Sequence, residues 1–65
     1  MENVNSIHID KVWQGAVIAL RVNGVNKVVW YHVDYVTSDF LDLTVIHNGA
    51  NYQYRKFDRF VWLRS

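Results

Sequence analysis

Asp42-Leu43-Thr44-Val45-Ile46-His47-Asn48-Gly49-Ala50-Asn51-Tyr52-Gln53-Tyr54-Arg55 decides the fold. Asn-Gly is a strong hairpin signal, because both central residues of a type I′ turn need positive φ. With Asn48-Gly49 at the centre of a two-residue turn, Val45 opposes Tyr52 and Leu43 opposes Tyr54 on one face. The other face sets Asp42 against Arg55, Thr44 against Gln53 and Ile46 against Asn51. One face is apolar and the other mostly polar, with an opposite-charge cross-strand pair. A slip by one residue would exchange the faces.

Working outward, Asn23-Gly24 marks a second hairpin upstream. Read the same way, it opposes Ile18 to Val29 and Ala16 to Tyr31. Its other face sets Val17 against Trp30, Ala19 against Val28 and Arg21 against Asn26. Between the hairpins, the apolar faces align if Tyr35 meets Leu41, Val33 meets Leu43 and Tyr31 meets Val45, which asks for a three- or five-residue loop. That register leaves Trp30, His32 and Asp34 outward, near Ile46, Thr44 and Asp42. Gly15 marks a bend before a strand over 16–22, and a kink around Phe57 to Arg59 precedes a last short strand from Phe60 to Leu63.

The composition agrees. Val, Ile and Thr number 17 of the 65 residues and the aromatics 10, types that fit a pleated surface and lose χ1 freedom in a helix. No stretch carries helical apolar spacing over three turns, so no substantial helix is expected. The reading is a single small β-barrel domain over 1–65: all-β, five antiparallel strands, SH3-like (Sm-like), with an OB-like barrel second. Closure would remove exposed strand edges.

Hydrophobic residues at 51% exclude a disordered chain, and the absence of any long apolar run excludes a spanning helix. Without Cys there is neither a disulfide framework nor a thiolate metal site, and His8, His32 and His47 fit no metal spacing. No cofactor motif is present: Gly15, Gly24 and Gly49 are each used by a turn or bend. No Ser or Thr lies in a nucleophile context, and the Asp34/Asp42 pair with His32 between reads as a surface cluster neutralised by Arg55. The expectation is a cytoplasmic protein that is not an enzyme. An enzyme site shared between copies would draw on Tyr52, Gln53 and Tyr54.

The outer face nonetheless carries a contiguous group: Val17, Ala19, Val28, Trp30, His32 and Ile46. Contiguous exposed apolar surface centred on a Trp marks an interface unless something covers it. Trp13, Phe60 or Trp62 from the chain ends could fold over it; otherwise a second copy or a protein partner does. A small domain without staples gains from self-association. The leading expectation is therefore a self-associating module that binds a protein, an adaptor or a small inhibitor of a larger enzyme of the kind phages and mobile elements carry. The alternative is binding of a single-stranded nucleic acid or nucleotide by Tyr54, Arg55, Lys56, Arg59 and Arg64, where cations alternate with aromatics.

Two family resemblances touch these residues. The stretch from Tyr35 to Leu43, with Asn48-Gly49 and Tyr52-Gln53-Tyr54, resembles the central strands of Sm-like RNA-binding proteins over less than a third of the chain. Residues 1–10 hold no counterpart to the Sm opening helix. Trp30-Tyr31-His32-Val33 and Phe57-Asp58-Arg59-Phe60 are similar to the Trp-Tyr and Asp-Arg signatures of WYL-domain regulators, with His32 where a Leu is usual. Both resemblances imply an Sm-like barrel.

Overall fold

The computed structural model describes residues 4–21 and 27–64. Six strands form one antiparallel sheet: β1 (Val4–His8), β2 (Val17–Arg21), β3 (Val28–Val36), β4 (Phe40–Val45), β5 (Asn51–Arg55) and β6 (Phe60–Arg64). Their spatial order is β1-β6-β2-β3-β4-β5, so β1 and β5 are edges and the sheet does not close. The expected five-stranded closed barrel is corrected to an open six-stranded sheet. The extra strand is β1, which pairs along β6 from Val4↔Arg64 to His8↔Phe60. A single turn of 3₁₀ helix, Ile9–Lys11, is the one helical element among the described residues.

One sheet with no second layer can bury a face only by curling onto itself. The Cα extents of 29 × 23 × 23 Å and the radius of gyration of 11.0 Å show that it does. Alternation supplies the inner face: β4 buries Leu41, Leu43 and Val45 and turns Phe40, Asp42 and Thr44 outward. Ile18 and Leu20 of β2, Val33 of β3 and Val61 and Leu63 of β6 complete it. Ile9, Val12 and Ala16, from the segment between β1 and β2, plug one end. Gly15 makes that plug possible: at φ +95 it reverses the chain while its amide donates to Val33 O at 2.9 Å.

Both hairpins keep their predicted faces and slide by two residues. In β4–β5, Leu43 opposes Tyr52, Leu41 opposes Tyr54, Asp42 opposes Gln53, Thr44 opposes Asn51 and Phe40 opposes Arg55. The Asp42–Arg55 pair is therefore not formed. The cause lies in the turn. Gly49 alone takes the left-handed conformation, at φ +75, and donates to Val45 O at 2.8 Å. Asn48 Oδ1 then accepts from the Ala50 amide at 2.9 Å. A four-residue loop with one left-handed residue replaces a two-residue turn that would need two. In β2–β3, Ile18 opposes Tyr31, Ala19 opposes Trp30 and Arg21 opposes Val28. Asn23-Gly24 and Asn26 lie outside the described residues.

The β3–β4 register begins as expected, Tyr31↔Val45, His32↔Thr44 and Val33↔Leu43, then shifts by one residue at Asp34. Past this bulge, Tyr35 opposes Asp42 and is exposed, while Val36 takes the place opposite Leu41. Tyr35 is thus corrected from the core to the surface, and Asp34 no longer faces Asp42. The three-residue loop Thr37–Asp39 holds because Thr37 Oγ1 accepts from the Phe40 and Asp39 amides at 2.9 and 3.3 Å.

Candidate functional site

The outer face holds most of the predicted interface. Trp30 of β3, Ala19 of β2 and Trp62 of β6 are direct cross-strand partners, so two indoles flank a methyl group. Ala19 is fully buried between them, a correction to its expected place at the surface. Val17 is half-buried between His32 and Arg64. Val28 and Ile46 are exposed, and Ile46 is held beside the strip by its amide donating to Trp30 O at 3.1 Å.

Arg64 stands over the Trp30 ring, 4.4 Å from its centroid, in cation–π contact. The chain end thus half-covers Trp30, and in doing so adds new apolar surface: Trp62 is 45% exposed and Phe60 64%. Phe60 and Trp62 were not expected in the interface set. Their alternation with Val61 and Leu63 reveals two faces, but which strand β6 joins is a long-range choice that no local signal carries.

A polar chain borders the strip. Asn51 Nδ2 donates to Thr44 Oγ1 at 2.8 Å, and Thr44 Oγ1 donates to Asp34 Oδ2. His32 Nδ1 lies 2.9 Å from the other oxygen, Asp34 Oδ1. The Thr44 bond, then the His32 bond, hold the Asp34 carboxyl below the usual aspartate range. Thr44 spends its hydroxyl proton on Asp34, not on the imidazole, so this arrangement fixes the bulge and sets up no nucleophile. No group of His, Asp and Glu among the described residues is placed to hold a metal ion.

The predicted basic set is dispersed. Tyr54 faces inward and Arg55 outward, as neighbours on a strand must. Arg64 belongs to the strip. Lys56 Nζ is committed to Thr37 O at 3.1 Å and to Asp10 at 3.7 Å. Its amide donates to Asp39 O at 2.8 Å, and the Ile9 amide donates to Arg59 O at 3.0 Å. His8 adds a further tie: Nδ1 accepts from the Asp10 amide at 3.2 Å, so Nε2 carries the proton and donates to Asp58 at 2.6 Å. These bonds anchor the 56–59 connection across one end of the curled sheet.

Along the β5 edge, the seam where the curled sheet stays open, Arg59 does meet Tyr54, with Nη1 donating to the phenol oxygen at 2.9 Å. Tyr31, Tyr52, Phe57 and Arg21 line the same groove, whose volume is about 450 Å³. Burial, and next the neighbouring Tyr52 and Tyr54, push the Tyr31 hydroxyl above the ordinary phenol range.

No known protein family, curated protein or solved structure matches the chain. A functional reading therefore rests on the chemistry of these two surfaces.

Proposed function

We propose that the chain is a non-enzymatic binding module, an open variant of an SH3-like (Sm-like) barrel that self-associates and engages a protein partner through its outer face. The observation that supports this is the Trp30–Ala19–Trp62 row with Phe60, Val28 and Ile46 around it. Two indoles held by register on β3 and β6, either side of Ala19 on β2, form a rigid apolar surface that loses little conformational entropy on binding. Arg64 and the His32–Asp34 pair supply a polar rim of both signs, the composition of an interface edge. A cytoplasmic adaptor or small inhibitor of a larger enzyme is the role that suits such a module.

Amide spectra recorded over a concentration series test the reading. Resonances of β2, β3 and β6 outer-face residues should shift with concentration while those of the seam stay fixed. Phe60→Ser, which alters a 64% exposed side chain, should abolish the shifts and leave the fold intact. Concentration-independent spectra, or shifts confined to the seam, would count against it.

A further inference from the structure

The seam groove sits on the other face of the sheet from the indole row and calls for a different occupant. Its volume of about 450 Å³ lies within the ~300–1,000 Å³ typical of small-molecule sites. We propose that it binds a nucleoside phosphate, with the base against the tyrosine rings and the phosphate against Arg59.

The rings are arranged for it. Tyr31 and Tyr52 meet edge to face at 6.3 Å, and so do Tyr54 and Phe57 at 6.4 Å. Edge-to-face pairs leave ring faces unstacked, and Tyr52 and Phe57 are 56% and 59% exposed. A flat heterocycle can lie on them as bases lie on aromatic platforms. The Tyr31 hydroxyl keeps its proton at neutral pH and can donate to a base carbonyl or a ribose oxygen. Arg59 is oriented by its bond to Tyr54, which uses one of its five N–H donors, and a guanidinium fork matches phosphate geometry.

Charge sets the size of the ligand. Arg59, held at the groove by its bond to Tyr54, is enough to meet a single phosphate, and the whole chain carries only +1. A polynucleotide track typically engages about 6–10 phosphates, which the dispersal of Arg55, Lys56 and Arg64 over other surfaces does not support.

The experiment titrates the ¹⁵N-labelled chain with adenosine and uridine 5′-monophosphates at low salt, with calorimetry for affinity. Amide shifts centred on residues 52–54, 57 and 59 are expected with at least one nucleotide. Tyr52→Ala and Arg59→Gln should each weaken binding by at least about fivefold, whereas Tyr52→Phe retains it. Adenosine without phosphate, and phosphate alone, should each bind more weakly than the nucleotide. Absence of shifts at millimolar nucleotide overturns the proposal, and so does wild-type affinity in both Tyr52→Ala and Arg59→Gln. Tighter binding of a single-stranded oligonucleotide, with steep loss in salt, would replace the nucleotide site with a strand site. Preferential binding of an acidic peptide along the β5 edge would replace it with a peptide site. Amide dispersion of each variant confirms that it is folded.

Discussion

Truncating Trp62 to alanine separates two roles that its position on β6 combines. An aromatic side chain of this size offers up to ~250 Å² to burial, so 45% exposure leaves roughly 110 Å² uncovered and roughly 140 Å² packed against its neighbours. At ~25 cal/mol per Å², the packed part makes Trp62→Ala cost about 2–3 kcal/mol in folding once the retained Cβ is discounted. The uncovered part, if another molecule covers it, is worth about 2.7 kcal/mol, or roughly a 100-fold weaker association for each copy that buries it. Urea unfolding measures the first quantity and sedimentation velocity over a concentration series measures the second. Trp13→Ala serves as the comparison, since Trp13 is 53% exposed in the segment before β2 and does not line the depression formed by Val28, Trp30, Ile46 and Arg64. Trp62→Ala should lower both stability and association, and Trp13→Ala should leave association unchanged. A folded Trp62→Ala that associates like the native chain, with Phe60→Ser doing the same, would refute the reasoning.

Other expectations follow from the core, the turn and the two perturbed groups. Leu43→Ala, at a position 1% exposed in the centre of the core, should lose about 2–5 kcal/mol in urea unfolding and leave little folded protein. Gly49→Ala should cost about 1–2 kcal/mol through its left-handed backbone alone, because an added Cβ meets nothing within 4 Å, and Gly49→Asn should cost less. Carboxyl NMR should find Asp34 titrating below the ordinary aspartate range, and Thr44→Val should raise it. Because the folded value is the lower one, the stability Asp34 contributes is present above the unfolded value and lost as pH falls through the folded one. Ultraviolet titration should show a tyrosine ionising later than a free phenol, absent in Tyr31→Phe. Here the folded value is the higher one, so stability is kept below the unfolded value and lost as pH rises through the folded one.

The faces of the strands were legible because a period of two sorts side chains whatever the exact pairing. Leu41, Leu43 and Val45 are buried and Trp30 and Val28 face outward under either register. The two hairpin registers were not legible, each sliding by two residues, in β4–β5 because Ile46 to Asn48 accept an ordinary turn and leave a single left-handed residue at Gly49. Nor was the bulge at Asp34, which rests on bonds to His32 and Thr44 that exist only once β3 and β4 are paired. Most of the interface strip came from the local pattern, and Phe60, Trp62 and Arg64 came from β6, whose pairing with both β1 and β2 spans most of the chain. The basic set is spread over different surfaces for a local reason: Tyr54 and Arg55 necessarily point to opposite faces.

Sedimentation equilibrium of the native chain, at concentrations from micromolar to millimolar, bears on the outer-face reading with the fewest assumptions. A mass that rises with concentration to a multiple of 7.7 kDa is the expected result. A constant 7.7 kDa throughout would leave the Trp30–Trp62 face without a second copy to cover it and would contradict self-association.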